Sequence, residues 1–361
     1  MKKILSIITL GLALSACYPG NQENEFPDFD QQNVYFPIQS PVRTLILGED
    51  YYDNSLDQEY RFNVGVAIGG LRENTKDWTA DFQVENSLVD NLIFAEPEDD
   101  ASDYTMFEAL PASYYELGVT DQVTIPAGSF VGLIPVQLTD AFFEDPKAVE
   151  GRYVLPLKLT GTSADSVLSG LPASGVENPD LRLDSDWTVS PKNYTLFAVK
   201  YINELHGEYL RRGKTVVTDE ATGNEIRTDV YRADYVVEDA LVSASTSGRR
   251  TIVLNSMGKY VDATHQLAVE FPSSDAEGQM SLSLSSVEGS TPVEAVGTAN
   301  VWVNDGDQWG GTPDNPTKRD VIYLNYTFMD NDGYINEVFD TLVYRNNGID
   351  YEEFTISLME E

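Results

Sequence analysis

Tyr60-Arg61-Phe62-Asn63-Val64-Gly65-Val66-Ala67-Ile68 sets an aromatic or branched apolar side chain at every second position, with polar or small residues between. Alternate side chains of a strand point to opposite faces, so this spacing predicts a strand with one buried face. The same reading extends outward. Phe82 and Val84 alternate with Asp81, Gln83 and Glu85, and Tyr153, Leu155, Leu157 and Leu159 share one face. Residues 130–138 form a nearly continuous apolar run, which predicts a strand buried on both sides. Clusters of Gly, Pro, Asn and Asp separate these runs, and no segment carries a helical stripe. Short strands divided by turn signals predict an all-β sandwich over residues 33–202. Residues 162–191, rich in Ser, Gly, Pro and Asp, read as a long loop before a last strand at 193–202.

The second half, 203–361, is also β-rich but patterned differently. Strands are predicted from Gly207 through Val217 and at 230–237, 251–254, 279–284, 299–303, 321–328, 338–344 and 351–358. About eight antiparallel strands joined by hairpins suit an up-and-down barrel, with a second sandwich as the alternative. No internal repeat relates the halves.

The chain has 361 residues, 59 acidic against 23 basic, for a net charge of −36. Its 42% hydrophobic content supports real cores. A field of that sign repels phosphate backbones, so no nucleic-acid partner is expected; it disfavours anionic ligands and suits neutral or cationic ones.

Lys2 and Lys3 precede an apolar run from Ile4 to Leu14, too short to span a bilayer as a stable helix, and small residues then lead to a cysteine. The ending Leu14-Ser15-Ala16-Cys17 resembles the lipobox of bacterial lipoproteins. That resemblance implies a signal peptide over 1–16, cleavage before Cys17, and lipid on the Cys17 sulfur and new amino terminus. Cys17 is the single cysteine, so no disulfide is available and the cores must hold the domains. Residues 17–32 are polar, acidic and aperiodic, and read as a flexible tether. Glu23 and Glu25 resemble the signal that sends Bacteroidetes lipoproteins to the outer face of the outer membrane.

Val123-Thr124-Ile125-Pro126-Ala127-Gly128, the run ending Ile134-Pro135-Val136, and Tyr153-Val154-Leu155-Pro156-Leu157 occur in that order. They resemble the N-terminal domain of a group of Bacteroidetes surface lipoproteins, over roughly residues 33–195. The resemblance implies an immunoglobulin-like sandwich of the kind found in glycan-utilisation loci and in front of some glycoside hydrolases. Leu205-His206-Gly207-Glu208-Tyr209 and Asp340-Thr341-Leu342-Val343-Tyr344-Arg345 resemble the C-terminal domain of the same group, which implies a lipocalin-like barrel.

Enzyme signatures are scarce. The two histidines, His206 and His265, are far apart in sequence, and no nucleophile elbow, zinc-protease motif or phosphate loop is present. Carboxylate pairs discriminate nothing in a chain this acidic. No catalytic residue, metal or cofactor is therefore assigned. Asp330-Asn331-Asp332-Gly333 resembles half a calcium loop, but Phe328 and Phe339 stand where ligands are required, so a hairpin turn is the better reading.

The stretch most suggestive of a ligand runs Val301-Trp302-Val303-Asn304-Asp305-Gly306-Asp307-Gln308-Trp309-Gly310-Gly311. Trp302 alternates with Val301 and Val303, while Trp309 reads as part of a Gly-rich loop. A sugar offers an apolar face to an aromatic ring and hydroxyls to acceptors such as Asn304, Asp305 and Asp307. The alternative is that Trp302 plugs the barrel and Trp309 folds over its end. Trp78 and Trp187 are candidates on the first domain, with core packing favoured for both. The sequence thus leads to an expectation: a non-catalytic, lipid-anchored outer-membrane surface protein that binds glycan beside uptake components. The alternatives are an adhesin-like module for a protein partner and a lipocalin-like binder of a small apolar ligand.

Overall fold

The computed structural model describes residues 28–95, 104–273, 277–296, 300–312 and 314–359; the Cys17 lipidation expected above lies outside them. As the alternation predicts, the fold is all-β, a sandwich followed by a nearly closed barrel. One sandwich layer has the order Ser166–Val167, Asn33–Tyr35, Arg61–Gly69, Val131–Leu138, Tyr115–Leu117. The other runs Pro41–Ile46, Tyr194–Ile202, Tyr153–Thr162, Trp78–Val84, Gln122–Ile125. Phe62, Val64, Val66 and Ile68 point between the layers and meet Leu155, Leu157, Ile134 and Tyr201 in one core.

Two readings of this half differ from the structure. The run 130–138 is buried on one face only, because the outer face of its sheet meets solvent; Leu133 remains 52% exposed. The span read as a long loop contains a small ribbon, Leu171–Pro172 against Trp187–Val189.

In the second half, Gly207–Asp219 pairs with Tyr334–Asn346 on one side and with Ala240–Gly248 on the other. The sheet continues through Thr251–Leu254 and Leu267–Glu270. Residues 279–286 then bridge the remaining gap. Ser283–Ser286 pairs with Leu267–Glu270, and Gln279–Ser281 pairs with Val301–Thr312. Val301–Thr312, Asn315–Met329 and Tyr334–Asn346 complete the circuit by hairpins. The interior is filled by Leu254, Met257, Val269, Leu324, Tyr326, Phe328 and Leu342, among others. It also encloses Asp340, whose carboxylate accepts from the Tyr231 hydroxyl at 2.6 Å and the Tyr326 hydroxyl at 3.2 Å. Asp330–Gly333 is the hairpin turn that Asp-Gly predicts, with Gly333 at φ +82° donating to the Asp330 carbonyl.

The predicted barrel strand at 351–358 is placed elsewhere. After Tyr334–Asn346 the chain crosses back to the sandwich, where Glu352–Glu353 adds to Pro41–Ile46. Phe354, Ile356 and Leu358 cover a second sandwich cluster that includes Leu92, Phe107 and Leu196. Their alternation is that of a strand with one buried face, but the face belongs to the first sheet pair. A second tie is Arg249, which donates to Asp140 at 2.9 Å and to the Tyr60 hydroxyl at 2.8 Å.

Candidate functional site

The barrel mouth facing the sandwich is built by strand ends. Tyr209 and Tyr344 lie opposite one another in register, and their rings meet edge to face at 5.5 Å. Trp302 is in register with Met280 and Ile322, so it faces inward with them while Val301 and Val303 face out. The sandwich supplies the facing wall. Leu47 continues from Pro41–Ile46 and its N–H donates to the Ile202 carbonyl at 3.0 Å. At Gly48 an added Cβ would stand 3.0 Å from the Glu204 Cα, so a side chain there would push the two walls apart. Between the walls lies a cavity of about 330 Å3, with Trp302, Tyr209, Tyr344 and Phe271 among its aromatic lining. Its polar lining includes Asn304, Asp320, Glu49, Glu204 and Arg250.

Burial disfavours the charged form of two acids of this cavity, Asp320 and Glu204. Burial raises the Asp320 pKa, and the carboxylates of Asp305 and Glu49 push the same way against the hydrogen bond Asp320 accepts from the Asp305 N–H. Burial also raises Glu204, although part of its side chain reaches solvent, with Arg250 and Arg249 opposing. The Tyr344 hydroxyl is pushed up to about 12, by burial first and by Asp50 next, so it stays a neutral donor. The site can therefore offer flat apolar rings, acceptors and neutral donors at close range, with acids outnumbering the single arginine.

Of the five residues singled out in 302–309, the structure brings Trp302 and Asn304 to this cavity. Asp305 stands behind it and contributes its N–H to Asp320. Asp307 and Trp309 are not on the cavity wall. The span expected to be a Gly-rich loop is strand, Val301–Thr312, and its glycines mark two register shifts, between Val303 and Asp307 and between Gln308 and Gly310. Glycine in a strand signals a bulge as well as a loop, and here Asp305 at φ +51° makes the bend. Trp309 lies beyond that bend, with the Arg319 guanidinium 5.5 Å from its ring centre.

The other candidates are structural. Trp78 is buried in the sandwich, its Nε1–H donating to Asn74 at 3.0 Å. Trp187 donates to the Asp180 carbonyl at 2.7 Å. His206 accepts from the Thr246 N–H at 3.0 Å, and His265 stacks on Tyr260 at 4.5 Å with Asp262 at its Nδ1. Among the described residues, no group of three or more His, Cys, Asp or Glu side chains is placed to hold a metal ion. The cavity residues not singled out from sequence come from segments far apart in the chain. Tyr209 and Tyr344 do sit inside the two motifs that carry the second-domain resemblance.

Fold and cavity define a two-part β-protein in which a sandwich closes over the mouth of a barrel. Residues 29–166 match the model of a family of N-terminal domains, and residues 204–348 match a domain of unknown function, DUF5627. A solved structure of a Bacteroides ovatus protein of unknown function is 32% identical, with a TM-score of 0.75, over 92% of this chain and all of that one. The chain belongs to the family of that protein. A second Bacteroides ovatus protein of unknown function aligns over 91% of this chain at 16% identity with a TM-score of 0.45. A third, provisionally described as carbohydrate-binding, aligns over 91% at 12% identity with a TM-score of 0.27. No curated protein matches the chain.

Proposed function

We propose that this protein is a non-catalytic carbohydrate-binding lipoprotein, held by lipid on Cys17 at the outer face of the outer membrane, where it presents glycan to uptake components. The observation that carries the binding reading is the convergence of Trp302 and Tyr344, both partly exposed, with Asn304, Asp320 and Glu204 on one cavity, with Tyr209 buried behind them. Aromatic faces take the C–H face of a sugar ring, and the amide and carboxyl groups take its hydroxyls. At about 330 Å3 the cavity is at the small end of ligand sites, of a size for one or two sugar residues. The surplus of acid favours neutral over acidic sugars. The packed barrel interior counts against a small apolar ligand held inside the barrel.

The test is a glycan array probed with residues 28–361, then titration of any hit against Trp302→Ala. Removing such a platform is expected to weaken binding about thirtyfold, roughly 2 kcal/mol. A Trp302→Ala protein that folds and binds the hit as wild type does would remove the cavity from the reading.

A further inference from the structure

Two residues beyond the cavity wall, the sandwich holds out a pair of aromatic rings that packing does not explain. Tyr51 is 91% exposed and Tyr52 is 74% exposed, and their rings meet edge to face at 5.1 Å. Large aromatic side chains bury most of their surface in ordinary folded proteins, so two adjacent ones left in water call for a reason.

The loop that carries them is fixed at several points. Asn54 Nδ2 donates to the Ile46 carbonyl at 2.8 Å and to the Gly48 carbonyl at 2.7 Å, tying the two ends of the loop together. Below it the buried Asp57 pairs with Arg43 and accepts from the Ile46 N–H at 3.0 Å. Midway, Asn347 donates to Asp50 at 3.2 Å, and Asp50 also accepts the Tyr51 N–H at 2.8 Å. Asn347 lies just past the strand that supplies Tyr344, so the tyrosine pair is positioned against the same barrel edge that lines the cavity. Gly48 and Glu49, at the foot of the loop, are themselves cavity wall. Two peptide units separate Glu49 from Tyr51, at most about 8 Å along the chain, so the backbone that carries the rings lies close to the cavity wall.

We infer that Tyr51 and Tyr52 form a second aromatic platform at the cavity rim, which takes the sugar residues following the one in the cavity, and that the ligand is therefore a neutral oligosaccharide chain rather than a free monosaccharide. The inference rests on the carbohydrate reading of the cavity. Several features of the rim support this occupant. The rings are held out before any ligand arrives, so stacking on them requires little new ordering. Asp50 and Asp53 flank them in sequence, which disfavours a chain bearing carboxylates or sulfates. The platform belongs to the sandwich half, whereas Trp302 and Tyr344 of the cavity belong to the barrel half, so a ligand long enough to reach both would bridge the two halves. Such a ligand gains from the second contact as a linked pair of sites does, without a second loss of translational freedom.

The experiment is calorimetric titration of residues 28–361 with size ladders of neutral gluco-, manno-, xylo- and galacto-oligosaccharides, from one to six units. Wild type is compared with Tyr51→Ala/Tyr52→Ala and with Trp302→Ala. The exposed pair can be removed without touching a core, and an unchanged melting temperature checks this. In wild type, affinity is expected to rise about tenfold or more between the shortest ligand that binds and the longer members of its ladder. The tyrosine variant is expected to bind the short ligand as wild type does and to lose that rise. Trp302→Ala is expected to weaken short and long ligands alike. A tyrosine variant that keeps the full rise with length overturns the platform while leaving the cavity reading intact. No binding of any ladder by wild type overturns both.

Discussion

His206 makes a prediction about acid stability that the structure sets in magnitude and sign. Its Nδ1 accepts the Thr246 N–H at 3.0 Å, so the neutral ring, with the proton on Nε2, is the form that fits. Burial and then the nearby Lys200 disfavour the cation, and the pKa falls from 6.5 to about 4. A base depressed on folding contributes stability that is fully present above its unfolded pKa. That stability is lost as the pH falls from 6.5 toward 4. Each unit is 1.36 kcal/mol, so lowering the pH from 7 to 4.5 costs about 2.5 kcal/mol through this one group. Glu204, Asp320 and Asp340, whose pKa values burial raises, bind protons more readily folded than unfolded and so work against this loss as the pH falls. Total stability therefore does not isolate the histidine. The comparison that does is with His206→Asn, whose side-chain oxygen can accept from the Thr246 N–H and does not titrate. Urea unfolding of both proteins at pH 7 and pH 4.5 should show the wild-type advantage shrinking or inverting by about 2–3 kcal/mol. Parallel pH profiles for the two would refute the assignment of a neutral, depressed His206 at this joint.

Three further outcomes follow from particular contacts. Asp340→Ala leaves the buried hydroxyls of Tyr231 and Tyr326 without their acceptor and should cost about 3 kcal/mol in urea melts, with Asp340→Asn costing less because one oxygen remains. Trp309→Ala loses the contact with Arg319 on the neighbouring strand; it should cost about 1 kcal/mol of stability and leave affinity for any cavity ligand unchanged by titration. Cys17→Ser should move the protein out of the membrane fraction or leave its precursor uncleaved, read by fractionation and by the mass of the amino terminus.

How much of this was legible depends on which side-chain pattern each element carries. Arg61–Gly69 could be read because its apolar face alternates with Arg61, Asn63 and Gly65, and Tyr153–Thr162 because Tyr153, Leu155, Leu157 and Leu159 recur at every second position, although Val154 on its other face is buried as well. Ala240–Gly248 could not. Its inward residues include Val242, Ala244 and Thr246, too small and polar for a hydrophobic alternation to stand out, and its place in the barrel comes from pairing with Gly207–Asp219. The run 130–138 misled in the other direction. Val131 and Leu133 are apolar without being buried, and apolarity alone does not distinguish a covered sheet face from an open one.

The cavity was legible only where one strand carried it. Trp302 was identifiable as facing away from Val301 and Val303 because alternation is local, and the inward side proved to be the cavity side. Trp309 was read into a Gly-rich loop, whereas it lies seven positions along the strand from Trp302, past a register shift that turns the strand's faces relative to the barrel and away from this cavity. The opposite wall had no local signal. Gly48 approaches Glu204 through the packing of two halves of the chain, which no local pattern announces. The tail after Asn346 then joins the sandwich sheet beside the strand that leads to Leu47 and Gly48. It therefore ties together the strands that supply opposite walls of the cavity. Residues 351–358 carried an alternating pattern of which only Glu352–Glu353 is strand, and the barrel was an incorrect destination, since an alternating pattern says that one face will be buried and leaves open which sheet will bury it.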